Sequence, residues 1–183
     1  MSRDRSAVPG VTLRDFEPAD ASAVRRWFSD RAITEGLLEQ RDEGLSERGA
    51  RGWVERAIDD SGEDRKWALV VEGAEDPAGF TALYGLGRQI APELGILIGD
   101  VSARGSGIGR EAIRQTAARA FGLGAHRVYA RILVTNPASQ RAFEAVGFRR
   151  EGVMRAHVRR GDELLDCELW GLLPAELEAG GAS

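Results

Sequence analysis

The chain reads as one α/β (α+β) domain: a mixed sheet of about seven strands with about four helices packed against it. Three observations carry that reading. Seven short stretches either alternate apolar and polar residues or run apolar, as strands do. Helical stretches with 3.6-residue spacing separate some of them. Three strands follow one another near the middle with no helix between, which argues against a doubly wound parallel sheet. The order is βαα-βββ-α-β-α-ββ over 183 residues, a length that holds a single core.

Each element has its own signal. Residues 1–9 form a polar arm ahead of a core at 11–173. Residues 11–16 alternate as a half-buried strand. Pro18-Ala19-Asp20 starts a helix to about residue 28, with Ala21, Val24, Trp27 and Phe28 on one face. A second helical piece covers roughly 33–38, and 41–45 is a loop broken by Gly44. Ser46 caps a helix through Trp53, Val54, Ala57 and Ile58. Residues 67–71, 78–84 and 93–98 are the consecutive strands. The helix at 107–121 buries Ile108, Ala112, Ile113, Thr116, Ala117, Ala120 and Phe121, and Gly122 and Gly124 end it. Residues 127–134 form a strand. Asn136-Pro137 then opens a helix, with Asn as a strong cap and Pro suited to the first helical position. Gly147 closes it, and Phe148 packs back over its last turn. Residues 148–158 and 163–173 form a hairpin turning at Arg160-Gly161-Asp162. Residues 174–183 read as a tail of Glu, Ala and Gly.

Composition narrows the function. With 43% hydrophobic and 30% charged residues the chain is an ordinary globular domain, and a net charge of −4 offers no footprint for nucleic acid. No apolar run is long enough to span a membrane, and residues 1–5 do not lead into a signal-peptide core, so the expected location is the cytoplasm. One cysteine, Cys167, excludes an internal disulfide. His126 and His157 stand in separate segments, so no metal site is expected.

The stretch Arg104-Gly105-Ser106-Gly107-Ile108-Gly109-Arg110 carries the chemistry. It follows a strand and opens a helix. The first N–H groups of a helix lack partners and sit at the positive end of its dipole, and alternate glycines let a phosphate approach them. Arg104 and Arg110 flank the loop as further anion ligands. A triphosphate loop needs G-x-x-x-x-G-K-[ST], and no Lys or Thr follows Gly109. A dinucleotide loop needs G-x-G-x-x-G, but Arg110 fills the sixth position. The remaining pattern, [QR]-x-x-G-x-[GA], fits Arg104, Gly107 and Gly109. A tight turn without ligand is the plain alternative.

In this third form the chain resembles the GNAT superfamily of N-acetyltransferases, whose loop holds the pyrophosphate of coenzyme A. Asn136-Pro137-Ala138-Ser139 with Gly147-Phe148 is similar to the branch that acetylates ribosomal-protein N-termini and spermidine, as are Leu13-Arg14 with Pro18-x-Asp20, Leu94 through Asp100, Glu151 through Arg155, and Asp166. The resemblance implies a mostly antiparallel sheet, acetyl-CoA as co-substrate, direct transfer to a primary amine of a small molecule or protein, and a possible homodimer. It implies that the arm of the cofactor lies in a gap after the central strand, beside Ile96, Leu97 and Ile98. Gly105, Ser106, Gly107, Ile108 and Gly109 would then cradle the pyrophosphate between Arg104 and Arg110. It implies too that an N–H of the central strand would polarise the thioester carbonyl, and that Asn136 would bond the pantetheine, unless it serves only as a helix cap.

Transfer needs a base for the amine and an acid for the thiolate. Glu93, eleven residues before Arg104, is where family members carry a catalytic Glu; otherwise it is a strand-end glutamate paired to an arginine. Ser139 is the acid, or simply a first-turn serine. The sequence departs from the family at Phe143, where many members have Tyr, and at Arg131, where another branch has Glu. Tyr129 and Tyr84 are weaker acids, and His157 and Cys167 read as strand residues. Acidic residues across 30–47 form a lip suited to a cationic amine, or a solvated helix face. A binding-only acetyl-CoA sensor and, more remotely, a nicotinamide-nucleotide protein are the alternatives.

Overall fold

Alternation along the strands decides the layers. In the computed structural model, which describes residues 10–38, 44–59, 63–88 and 90–180, seven strands form one sheet in the order β1-β2-β3-β4-β5-β7-β6. They are β1 Val11–Arg14, β2 Arg65–Val71, β3 Gly79–Tyr84, β4 Glu93–Ile98, β5 Val128–Leu133, β6 Arg149–Arg160 and β7 Glu163–Leu172. Every neighbouring pair is antiparallel except β4–β5, which is parallel. That exception follows from the chain: short turns join the antiparallel neighbours β2–β3 and β6–β7, while a helix joins β4 to β5.

The helices are α1 Ala21–Ser29, α2 Arg31–Thr34, α3 Glu47–Ile58, α4 Ile108–Gly122, α5 Pro137–Glu144 and α6 Pro174–Gly180. One face of the sheet packs α1 and α3 through Val24, Trp27, Val54, Phe80 and Leu97. The other packs α4 and α5 through Leu69, Leu94, Ile108, Ile113, Ile132 and Phe143. Arg14 and Asp20 join β1 to the start of α1. Asp20 is 4% exposed, and two guanidinium N–H groups reach its carboxylate, both at 2.8 Å. The N-terminal motif is therefore a structural fork.

Local chemistry lands where the sequence puts it. Ser46 Oγ accepts from Gly49 N at 3.1 Å. Phe148 meets Phe143 edge-on with ring centroids 4.9 Å apart. Gly161 turns the hairpin at φ +60. The second helical piece is earlier and shorter than 33–38, because Asp30 accepts from Ala32 N and starts it at Arg31. The stretch after 173 is not a plain tail. Pro174–Gly180 is helical: Glu176 accepts from Leu173 N at 2.8 Å and pairs with Arg149 at 2.9 Å, while Leu177 packs on the core. The 1–9 arm and the loop at 39–43 lie outside the described residues.

Two carboxylates set an acid-side prediction. Hydrogen bonds from Arg114 pull Glu111 below its ordinary value, and those from Arg127 do the same for Glu151. A lowered folded value contributes stability above the unfolded value of about 4.3 and loses it as pH falls through the folded one. Thermal midpoints should fall between about pH 5 and 3, and Glu151→Gln should flatten that slope.

Candidate active site

The site begins where β4 and β5 part. They share one bridging pair, Glu93 opposite Tyr129, with Tyr129 N donating to the Pro92 carbonyl at 3.2 Å. Main-chain groups of successive residues in a strand point to opposite neighbours. Pro92 faces β5, so Leu94, Ile96 and Ile98 face it too, while Glu93, Gly95 and Leu97 pair with β3. The N–H groups of Ile96 and Ile98 therefore open into the gap. Leu97 does not contribute its main chain there: it bonds across to Phe80, and its side chain is buried under α1. The far wall is the main chain of Arg131 and Leu133.

At the open end stands the glycine loop. Asp100 accepts from Ser102 N and Oγ and starts a short 3₁₀ turn, Val101–Ala103. Gly105 and Gly107 have φ +76 and +90, a region that side chains rarely adopt. Among the described residues no acceptor takes the N–H groups from Gly105 to Arg110, and α4 begins its own ladder with Glu111 N to the Gly107 carbonyl. A Cβ built at Gly105 meets nothing within 4 Å. Consecutive free donors at the positive end of a 15-residue helix fit a diphosphate. Ser106 Oγ donates to the Ala103 carbonyl at 2.6 Å, and Arg104 Nη2 donates to the Ile98 carbonyl at 3.0 Å. Both side chains thus shape the loop; Arg110 is exposed beside it.

On the other side of the gap α5 begins. Asn136 Oδ1 accepts from Ser139 N at 3.1 Å, so the cap reading is realised. Its Nδ2 faces the turn after α2, where a Cβ at Gly36 would stand 2.9 Å away. Nδ2 takes no acceptor among the described residues. The Ser139 hydroxyl is half-buried and makes no hydrogen bond among the described residues. Phe143 is 2% exposed and belongs to the core, so its lost phenol has no substitute there.

Glu93 is not a lone carboxylate. Arg131 grips it with Nε to Oε1 at 2.9 Å and Nη2 to Oε2 at 2.7 Å. The Tyr129 hydroxyl stands 3.4 Å from Oε2. Hydrogen bonding to Glu93 pushes the Arg131 guanidinium above its ordinary value despite burial. Burial, then the Glu93 charge, raises Tyr129, so its phenol keeps its proton. Arg131 Nη1 also lies 3.1 Å from His157 Nε2. A guanidinium only donates, so a hydrogen bond at this contact has Nε2 as its acceptor.

Sequence reasoning missed what aims His157. Between Met154 and Val158 the β6–β7 register slips, and Ala156 sits at φ +52. Asp166 accepts from Ala156 N at 2.7 Å and holds the bulge. The signal was Asp166, noted as a motif residue without a role. Cys167 is fully buried beneath, and burial pushes its thiol up to about 11. The native protein should resist alkylation at pH 8 over hours, and the denatured chain should take up one label; fast native labelling would contradict this burial.

Among the described residues no group of His, Cys, Asp and Glu could hold a metal ion, and no helix is long and apolar enough to cross a membrane.

Residues 11–149 match the acetyltransferase (GNAT) domain family. No curated protein matches the chain. Among solved structures, a GNAT-family acetyltransferase from Bacillus anthracis superposes with a TM-score of 0.79 at 22% identity, over 93% of this chain and 98% of that one. The spermidine N-acetyltransferase from Vibrio cholerae, solved with CoA and spermine, gives 0.81 at 20% identity, over 92% and 98%. At these identities the two structures speak for the fold; the family match, the parted strands and the donor-lined loop together make the chain a member of the GNAT family, an acetyltransferase that uses acetyl-CoA as its co-substrate.

Proposed function

We propose that the chain moves the acetyl group of acetyl-CoA directly to a primary amine, and that it does so in the gap between β4 and β5. The observation that carries this is one continuous row of free main-chain donors: Ile96 and Ile98 in the gap, then Gly105 to Arg110 at its mouth. The pyrophosphate rests on the loop, with Arg104 and Arg110 as outer ligands. Asn136 Nδ2 holds the pantetheine, and the N–H of Ile96 or Ile98 polarises the thioester carbonyl.

The amine must attack neutral, although an alkyl ammonium titrates near 10. Glu93 removes the proton through a water, because both of its oxygens are held by Arg131. Ser139 donates to the departing thiolate. The amine enters from the α1–α3 side, where Glu93 and Arg131 point. Cytoplasmic location and a homodimer belong to the same reading; light scattering tests the second.

The test is thiol release from acetyl-CoA against an amine panel: a peptide N-terminus, spermidine and a small alkylamine, with mass spectrometry of the product. Amine-dependent release with one added acetyl group supports the reading. Tight acetyl-CoA binding with no acceptor in the panel consumed favours a binding-only protein.

A further inference from the structure

We propose that Arg131 selects the acceptor: it favours the α-amine of a peptide, whose adjacent carbonyl oxygen it binds, and rejects polyamines. This rests on the amine-transfer reading and deepens it. The side chains of Glu93, Tyr129 and Arg131 share the sheet face that α1 and α3 cover, because cross-strand partners point the same way. Glu93 is the carboxylate at the floor of that face, and its two oxygens are both taken by Arg131. The carboxylate that Glu93 would offer to a second ammonium of a polyamine is thus already paired. Such an ammonium finds fixed positive charge instead. Lys66 lies over the Tyr84 ring on the same face, 5.5 Å from the centroid. Arg160 closes the far side, with Nη1 and Nη2 on the carbonyls of Glu35 and Leu37 at 2.9 and 2.8 Å.

Arg131 has donors to spare. Of the five N–H bonds on a guanidinium, two go to Glu93 and one to His157. The remaining two have oxygen as their natural partner, and a peptide α-amine carries a carbonyl oxygen two bonds from its nitrogen-bearing carbon. A polyamine offers only more donors, which a guanidinium cannot accept. The grip on Glu93 and the contact with His157 fix the plane of the fork, and Asp166 fixes His157 through the bulge at Ala156.

The experiment measures kcat/KM for Ser-Ala-Ala amide and for spermidine with the wild type, Arg131→Gln and Arg131→Lys. The wild type should favour the peptide at least about tenfold. Arg131→Gln should bring the ratio to within about threefold of unity, mainly by raising the KM for the peptide, with acetyl-CoA affinity unchanged. Arg131→Lys, which keeps the charge and loses the fork, should still disfavour spermidine. A wild type that prefers spermidine overturns the inference, and so does a folded Arg131→Gln whose ratio stays at the wild-type value. Should Arg131→Gln not fold, the wild-type ratio and Arg131→Lys decide. Turnover with the wrong ratio removes this inference alone; no turnover of any amine removes the proposed function with it.

Discussion

Replacing Gly107 with valine should weaken acetyl-CoA binding about 100-fold, which is about 2.7 kcal/mol. Gly107 caps α4 at φ +90 and ψ −6, where a β-branched residue is strained by about 1–3 kcal/mol. The chain relieves that strain by turning the backbone, and the turn moves the N–H groups of Gly107, Ile108 and Gly109 off a common focus. α4 itself should survive, because its buried face of Ile108, Ala112, Ile113, Thr116, Ala117 and Ala120 is untouched. Calorimetric titration of acetyl-CoA into the folded variant reads the effect. Full affinity in a folded variant would show that the loop is a turn and that the diphosphate lies elsewhere.

Glu93→Gln should lower kcat about 100- to 1,000-fold, within the range for losing a general base, while acetyl-CoA affinity stays within about twofold of the wild type. Glutamine keeps one oxygen for Arg131 but cannot take a proton from a water. The opposing expectation comes from the geometry itself: a glutamate held by a bidentate arginine fork is also what a purely structural pair looks like. If the pair only braces β4 against β5, Glu93→Gln should lose about 1 kcal/mol of stability and leave kcat near the wild-type value. Single-turnover rates on the variant separate the two.

The elements most legible in the sequence are those whose cause is local. Ser46 and Asn136 cap the helices they precede, Gly161 turns the hairpin, and Phe148 returns to Phe143. The glycine loop was legible because its chemistry needs no distant partner. What was not legible depends on register. Glu93 and Arg131 are 38 residues apart, and they meet only because β5 lies parallel to β4 with Tyr129 opposite Glu93. The same register turns the main chain of Ile96 and Ile98 into the gap and that of Leu97 away from it. The bulge at Ala156 carries no glycine to announce it; a carboxylate ten residues on holds it. The helix at Pro174–Gly180 hid in a composition that reads as a tail, although Pro174 and Glu176 are ordinary helix-start residues.

Thermal unfolding with acetyl-CoA, CoA, NADH and ATP in parallel tests the central claim, that the donor-lined gap is an acetyl-CoA site. A ligand at 100 times its Kd stabilises the native state by about 2.7 kcal/mol, which for a domain of this size is a rise of roughly 5–10 °C. That rise is expected with acetyl-CoA and CoA, with little change for NADH or ATP, and it should be lost in Gly107→Val. A flat response to both CoA species, or an equal rise with NADH, would contradict the claim.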